Sequence, residues 1–358
     1  MPEINVNLSK IKHNAKYLKK LLSQQGFSMI GITKVVSGNS LIVKTMLEAG
    51  IEYLGDSRIQ NIMKFKQRKI DAKYILIRVP SKSEIPLVVQ NADYSLNSEL
   101  KVIKLLSEEA LKQNKIHKII LMVDMGDLRE GVNPLNIKSY IHDILKLKGI
   151  KLSGIGTNLK CFSGIIPTSK NMKRFSKLTE EIEKVFGIKF KFVSGGNSAN
   201  FNWFFSTKDK GKINNLRIGE ALFLGHETID FKPIPNLYTD VFRLTAEIIE
   251  LKTRSLIPHG IAVSNAFGEP IKNQSTSNKD QNRGSRKQAL LNIGRQDIAI
   301  KGLRPIENIK ILGASSDYLI IDIKDNEYEI GDKINFNLNY EALLKSMTSP
   351  YITVKYKN

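Results

Sequence analysis

Short apolar runs alternate with amphipathic, Lys- and Glu-rich segments over the first two thirds of the chain. The runs predict strands at 29–33, 53–55, 74–79, 93–96, 119–124, 151–157, 190–194 and 215–218. Helices are predicted between them, at 8–24, 40–48, 59–67, 82–90, 98–113, 136–147, 169–186 and 199–205. Tyr74-Ile75-Leu76-Ile77 is a continuous strand-like run, whereas Leu100, Ile103, Leu106 and Leu111 recur at helical spacing. Repeated strand–helix alternation implies a parallel sheet with right-handed crossovers. Eight such units predict a (β/α)8 TIM-type barrel. A doubly wound open sheet is the alternative, and it is weakened because no glycine-rich dinucleotide fingerprint follows the first predicted strand.

The pattern changes near Phe231-Lys232-Pro233-Ile234-Pro235, a stiff connection. Beyond it, β-type runs at 241–250, 288–293, 310–312, 319–323 and 333–338 carry little helical patterning. The predicted organisation is therefore a barrel over 1–232 and a C-terminal all-β domain over 233–358. Within the second part, 272–288 is polar, basic and poor in apolar residues. It reads as a surface loop, either an inert insertion or an active-site lid.

Composition narrows the class. The 358 residues are 41% hydrophobic, enough for a large core. No apolar run is long enough to span a bilayer, and Met1-Pro2-Glu3-Ile4-Asn5 lacks the features of a signal peptide. Cys161 is the only cysteine, so no intrachain disulfide is possible. A cytoplasmic protein is expected. The net charge of +20 invites a nucleic-acid reading. The lysines are spread along the chain without an aromatic-interleaved stripe, so neither nucleic acid nor membrane is expected as a partner.

Lys34 is the first candidate for chemistry. It ends the apolar run of Ile30-Gly31-Ile32-Thr33-Lys34 and precedes the turn-forming Ser37-Gly38-Asn39. A lysine at a buried strand end is costly as an ammonium, and a neutral amine attacks carbonyls. The competing reading is a side chain that snorkels to water. In a barrel of this kind functional residues follow the strands. The strand ends carry Asp56-Ser57-Arg58, Arg78, Asn97-Ser98, the stretch from Asp124 to Gly131, Thr157-Asn158-Leu159-Lys160-Cys161, Ser194-Gly195-Gly196-Asn197-Ser198 and Arg217-Ile218-Gly219-Glu220. The last two read as anion cradles, with glycines that let backbone approach a ligand. A lysine across a barrel mouth from a phosphate cradle suggests pyridoxal 5'-phosphate.

In combination these segments resemble the fold-type III pyridoxal-phosphate enzymes of the alanine racemase family, and within it the ornithine racemase-like branch. Ile293-Gly294-Arg295-Gln296-Asp297 and Met347-Thr348-Ser349-Pro350-Tyr351 extend the resemblance into the second part. The resemblance implies that Lys34 holds the cofactor in imine linkage and acts as one of two proton-transfer bases. It implies that Asn197 and Ser198, with backbone near Gly219 and Glu220, hold the phosphate, which Tyr351 also reaches. Arg217 would face the pyridine nitrogen. Arg129 would lie near the ring oxygen and the substrate carboxylate, and Asn158 stands where alanine racemases usually have a histidine. A homodimer is implied, with the β domain of one subunit over the barrel mouth of the other.

Departures from the family pattern matter. Gly38 stands where a tyrosine usually follows the lysine, and Met122 where a carbamylated lysine occurs. The second-base tyrosine has no match in the stretch 261–268. Cys161 is one candidate for that base, against a reading as a small buried hydrophobe. A substrate with a side-chain ammonium needs an acidic partner. Asp297 and Asp317, or Asp127 and Glu130 beside Arg129, are the candidates. The implied activity is racemisation of ornithine or a similar basic amino acid. Alternatives are a racemase of alanine, serine or lysine, and a non-catalytic pyridoxal-phosphate-binding homeostasis protein. The second domain counts against the latter. A metal-dependent aldolase of the same fold would need further ligands beside His259. No metal is expected.

Overall fold

The computed structural model describes residues 1–256, 260, 263–270 and 284–357. The chain divides into two compact units, Leu8–Val241 and Met1–Asn7 with Phe242–Lys357.

The first unit is a closed parallel barrel of eight strands. After the N-terminal strand β1 (Glu3–Asn7), which belongs to the other unit, come α1 (Leu8–Ser23), β2 (Ser28–Ile32), α2 (Ser40–Glu48), β3 (Tyr53–Asp56), α3 (Ile59–Gln67), β4 (Lys73–Leu76), α4 (Ile85–Asn91), β5 (Tyr94–Asn97) and α5 (Leu100–Lys112). They are followed by β6 (His117–Met122), α6 (Ile137–Leu145), β7 (Ile150–Gly156), α7 (Ser169–Phe186), β8 (Phe192–Ser194), α8 (Phe201–Ser206), β9 (Asn215–Ile218) and α9 (Glu220–Leu224). Strands β2 to β9 pair in chain order, and β2 closes on β9 with Ser28 opposite Asn215 and Gly31 opposite Ile218.

Alternate residues of the strands face inward. Ile30, Ile32, Ile75, Tyr94, Leu96, Ile120, Met122 and Phe192 form the plugged interior. Met122 is thus a core residue, which suits its thioether and leaves no place for a charged group. The helices form the outer layer. In α1, Leu8, Ile11, Ala15, Leu18 and Leu22 recur on one buried face at helical spacing. Asn14 is buried among them because its amide donates to Leu222 O at 3.0 Å and Tyr238 O at 2.9 Å, and its Oδ1 accepts from Tyr238 N.

The second unit is β-built. Strands β10 (Phe242–Ser255), β11 (Ser285–Leu291), β12 (Leu303–Pro305), β13 (Lys310–Ala314), β14 (Leu319–Asp322) and β15 (Lys333–Leu338) lie in the order β12-β15-β10-β11-β14-β13. One helix, α10 (Tyr340–Thr348), is capped by Asn339 Oδ1 on Ala342 N, and β16 (Thr353–Lys357) follows. β1 pairs antiparallel with β10 and parallel with β16.

Two expectations about boundaries are corrected here. The units divide at Val241 and Phe242 rather than at 232 and 233, and residues 1–7 leave the barrel unit. Ile4 and Val6 are fully buried in a pairing about 240 residues away in sequence, which local periodicity cannot reveal. The expected loop 272–288 is also cut short. Ser285 to Gln288 begin β11, because Ala289 and Leu291 need a strand to reach the core. Residues 271–283, and His259, lie outside the described residues. Among the described residues no helix is long and apolar enough to cross a membrane.

Candidate active site

The C-terminal ends of β2, β3, β6, β7, β8 and β9 carry the polar residues singled out above, all within the barrel unit. Lys34 opens a single helical turn immediately after β2 and is largely buried. Burial holds its ammonium below the ordinary lysine range. The charges of Cys161, Asp56 and Glu130 oppose that shift, and Arg129 adds to it.

The turn is held from beneath by Asp56, the last residue of β3 and fully buried. Its carboxylate accepts from Thr33 Oγ1 at 2.6 Å, Arg58 N at 2.9 Å and Asn61 Nδ2 at 3.0 Å. Burial raises its carboxyl, and these hydrogen bonds oppose the rise. Gly38 adopts a left-handed conformation at φ 62°, and a Cβ there would meet Asn61 Cγ at 2.6 Å. Any side chain at this position therefore displaces Asn61, one of the groups that hold Asp56.

Arg217 in β9 is the most constrained cation of the site. It is 6% exposed, and burial pushes its guanidinium down to about 10, still charged at neutral pH. Nη1 donates to Ser194 Oγ at 2.6 Å, and Nη2 donates to Thr157 O at 2.9 Å and Asn158 Oδ1 at 3.0 Å. Ser194 in turn donates to Asn215 Oδ1 at 2.7 Å. Thr157 Oγ1 is buried and has no hydrogen-bond partner among the described residues.

The two cradles are joined to each other. Asn158 Oδ1 also accepts from Asn197 Nδ2 at 3.0 Å, and the same amide donates to Leu159 O at 2.9 Å. Asn197 Oδ1 accepts from Ala199 N, and its own amide N–H donates to Asn200 Oδ1. The Asn197 side chain thus holds the loop that was expected to use it on a phosphate. Gly196 has φ 141°, and a Cβ there would come 2.3 Å from Asn200 Oδ1, so only glycine fits. Ser198 Oγ, nearly buried, accepts from Ala221 N at 3.1 Å and ties the first cradle to α9. Gly219 and Glu220 open that helix. Burial raises the Glu220 carboxyl to about 7, with Lys34 as the opposing charge.

Cys161 is exposed, which corrects its reading as a buried hydrophobe. Its Sγ accepts from Arg129 Nη1, and the remaining edge of that guanidinium pairs with Glu130. The Glu130 hydrogen bond raises Arg129. Asp127 is 2% exposed and accepts from the amides of Cys161 at 3.1 Å, Phe162 at 3.1 Å and Ser163 at 3.3 Å. Asp127 and Glu130, both considered for a substrate ammonium, are therefore engaged within the protein. Asp127 instead holds the loop that presents Cys161, a role its position beside Arg129 in sequence did not reveal.

The remaining candidates belong to the β unit. Asp297 is 4% exposed and accepts from Ser349 Oγ at 2.6 Å. Ser349 Oγ also accepts from Tyr351 N at 3.2 Å, so Asp297 organises the turn that carries Tyr351. Tyr351 itself is 63% exposed. Asp317 is exposed and receives Gln296 Nε2 at 3.1 Å. Asp297 is thus structural within its unit rather than a free acid. Beside the stretch 261–268, Arg295 clasps Glu269 through both guanidinium nitrogens at 2.9 and 2.6 Å and lies 4.2 Å over the Phe267 ring.

A family model described as alanine racemase, N-terminal domain, matches residues 6–227. The chain is 40% identical to the ornithine racemase of Acetoanaerobium sticklandii, covering 98% of each chain. It is 35% identical to the lysine racemase of Thermotoga maritima, covering 99% of this chain and 98% of that one. A solved alanine racemase from Bartonella henselae, with covalently bound pyridoxal phosphate, superposes with a TM-score of 0.73 at 16% identity and covers 99% of both chains. At that identity the last likeness concerns the fold.

Proposed function

Because the chain belongs to the alanine racemase family, we propose that it is a pyridoxal 5'-phosphate-dependent racemase of a basic amino acid, ornithine first. The observation that carries this reading is the Lys34 amine, largely buried after a barrel strand and within electrostatic reach of Cys161 and Arg129. The similarity to an ornithine racemase and a lysine racemase supports a substrate with a side-chain ammonium.

The residues present fit the cofactor. Lys34 supplies an amine whose ammonium is disfavoured, as imine linkage requires. The left-handed Gly196, Ser198 Oγ and the backbone at Gly219 and Glu220 offer an anion cradle. Arg217 offers a fixed guanidinium to a ring nitrogen, and the unpartnered Thr157 Oγ1 is a polar atom left for a ligand. When bound, pyridoxal phosphate supplies a conjugated electron acceptor that acidifies the substrate α-C–H.

The chain's own groups then divide the proton work. Lys34 Nζ takes or returns the α-proton on one face of the substrate. Burial lowers its basicity and so favours the neutral amine that accepts a proton. Cys161 Sγ serves the opposite face and accepts a hydrogen bond from the Arg129 guanidinium. Arg129 also offers a fork to the substrate carboxylate, in exchange for Glu130. Arg217 remains a cation, so a ring nitrogen beside it stays unprotonated. With Arg217 there, the two positioned bases would carry more of the catalysis.

The test is α-proton exchange in deuterium oxide with a panel of L-amino acids, followed by optical rotation. Exchange and racemisation of ornithine are expected. Absence of exchange with every amino acid rejects the reading. Lys34→Ala is expected to lose the visible absorbance of the bound cofactor. The active form is proposed to be a homodimer, and a fully active monomer in sedimentation would reject that part.

A further inference from the structure

A cationic side chain approaching a protein of net charge +20 needs a local anion. The acidic candidates named from sequence are engaged or exposed: Asp127 with three amides, Glu130 with Arg129, Asp297 with Ser349, and Asp317 with Gln296. Glu220 differs from all of them. The register of β9 against β2 sets Gly219 beside Ile32, whose Cβ lies 3.1 Å from where a Gly219 Cβ would stand. The next residue, Glu220, is thereby brought to the Thr33-Lys34 turn. Glu220 is half-buried, Lys34 is the charge that acts on its carboxyl, and no hydrogen bond to that carboxylate is found among the described residues.

A half-buried carboxylate is partly stripped of water, and an incoming cation offsets that loss. A substrate ammonium does so, whereas an apolar side chain leaves the anion unsatisfied, and such mismatches discriminate strongly. We propose that the Glu220 carboxylate receives the side-chain ammonium of a basic amino-acid substrate and so sets a preference for ornithine over uncharged side chains of the same length. This rests on the racemase reading above. The substrate then spans the mouth with its α-carboxylate toward Arg129 and its far end toward α9. Because burial holds the carboxyl near 7, the preference strengthens as pH rises through neutrality.

The test compares ornithine with norvaline, which lacks only the terminal amine, binding to the holoenzyme by calorimetry. Wild type is expected to bind ornithine more tightly than norvaline. Glu220→Gln is expected to weaken ornithine roughly 10- to 100-fold and leave norvaline unchanged. Glu220→Asp, which keeps the charge on a shorter stem, should fall between them and controls for misfolding. Equal losses on both amino acids, or a loss on neither, overturn the proposal. α-Proton exchange, measured alongside, judges the racemase reading separately. An ornithine preference without exchange keeps this subsite and removes the activity.

Discussion

Asn158 Oδ1 accepts from two donors at once, Arg217 Nη2 and Asn197 Nδ2, each at 3.0 Å. One amide oxygen therefore couples the cation proposed for the ring nitrogen to the loop proposed for the phosphate. Asn158→Ala leaves a buried guanidinium N–H and an amide without this acceptor. The expected outcome is a loss of about 1–3 kcal/mol in unfolding free energy, with weaker cofactor retention. Denaturant titration and cofactor release on dialysis check both. Asn158→His is expected to retain the Arg217 contact, since an imidazole nitrogen can accept.

Cys161 and Lys34 divide the two faces in the proposed mechanism. Cys161→Ala is expected to keep α-proton exchange for the enantiomer that Lys34 deprotonates and to lose it for the other, with racemisation down about 10²–10⁴-fold. Single-enantiomer exchange in deuterium oxide reads this directly. Unchanged exchange of both enantiomers removes the thiol from the mechanism.

Asp127 presents Cys161 by gathering three successive amides. Asp127→Ala unmakes all three charge-assisted bonds at a nearly buried position. Destabilisation of about 2–4 kcal/mol is expected, with racemisation falling in parallel with Cys161→Ala. Full activity in a destabilised Asp127→Ala protein would show that the loop tolerates disorder during turnover.

The Glu220 carboxyl titrates near 7 in the folded protein against 4.5 ordinarily. Its folded value is raised, so the folded state binds the proton more tightly. Relative stability is then greatest below 4.5 and falls as pH rises through about 7. In cofactor-free protein, Glu220→Gln should gain on wild type by up to about 3 kcal/mol between pH 4 and 8. Thermal unfolding of the pair across that range measures it. A pH-independent gap would place the carboxyl in water.

Sequence periodicity carried the barrel well. The strand expected at 215–218 coincides with β9, and 53–55 with most of β3. Each barrel strand pairs with its chain neighbours, so local pattern and topology agree. The β unit was less legible. β1 joins it from the opposite end of the chain, β12 is three residues long, and α10 is a single helix in a β context. The catalytic candidates were legible because strand ends are where barrels place chemistry. Their supporting partners were not. Asp127 reads as an acid beside Arg129, and only folding brings it under residues 161–163.

The amino-acid sequence by itself determined that a lysine ends the first barrel strand, that glycine-rich cradles follow the last two, and that no tyrosine stands in the stretch 261–268. These are properties of residue type and local period, which the chain carries before it folds. Tertiary structure alone decided which acids are available. Asp127, Glu130 and Asp297 are satisfied by amides, a guanidinium and a hydroxyl, while Glu220 is half-buried beside the Lys34 turn with no hydrogen bond to its carboxylate among the described residues. The reason is physical: desolvation and hydrogen-bond satisfaction depend on what packs around a carboxylate, and that is set by residues distant in sequence.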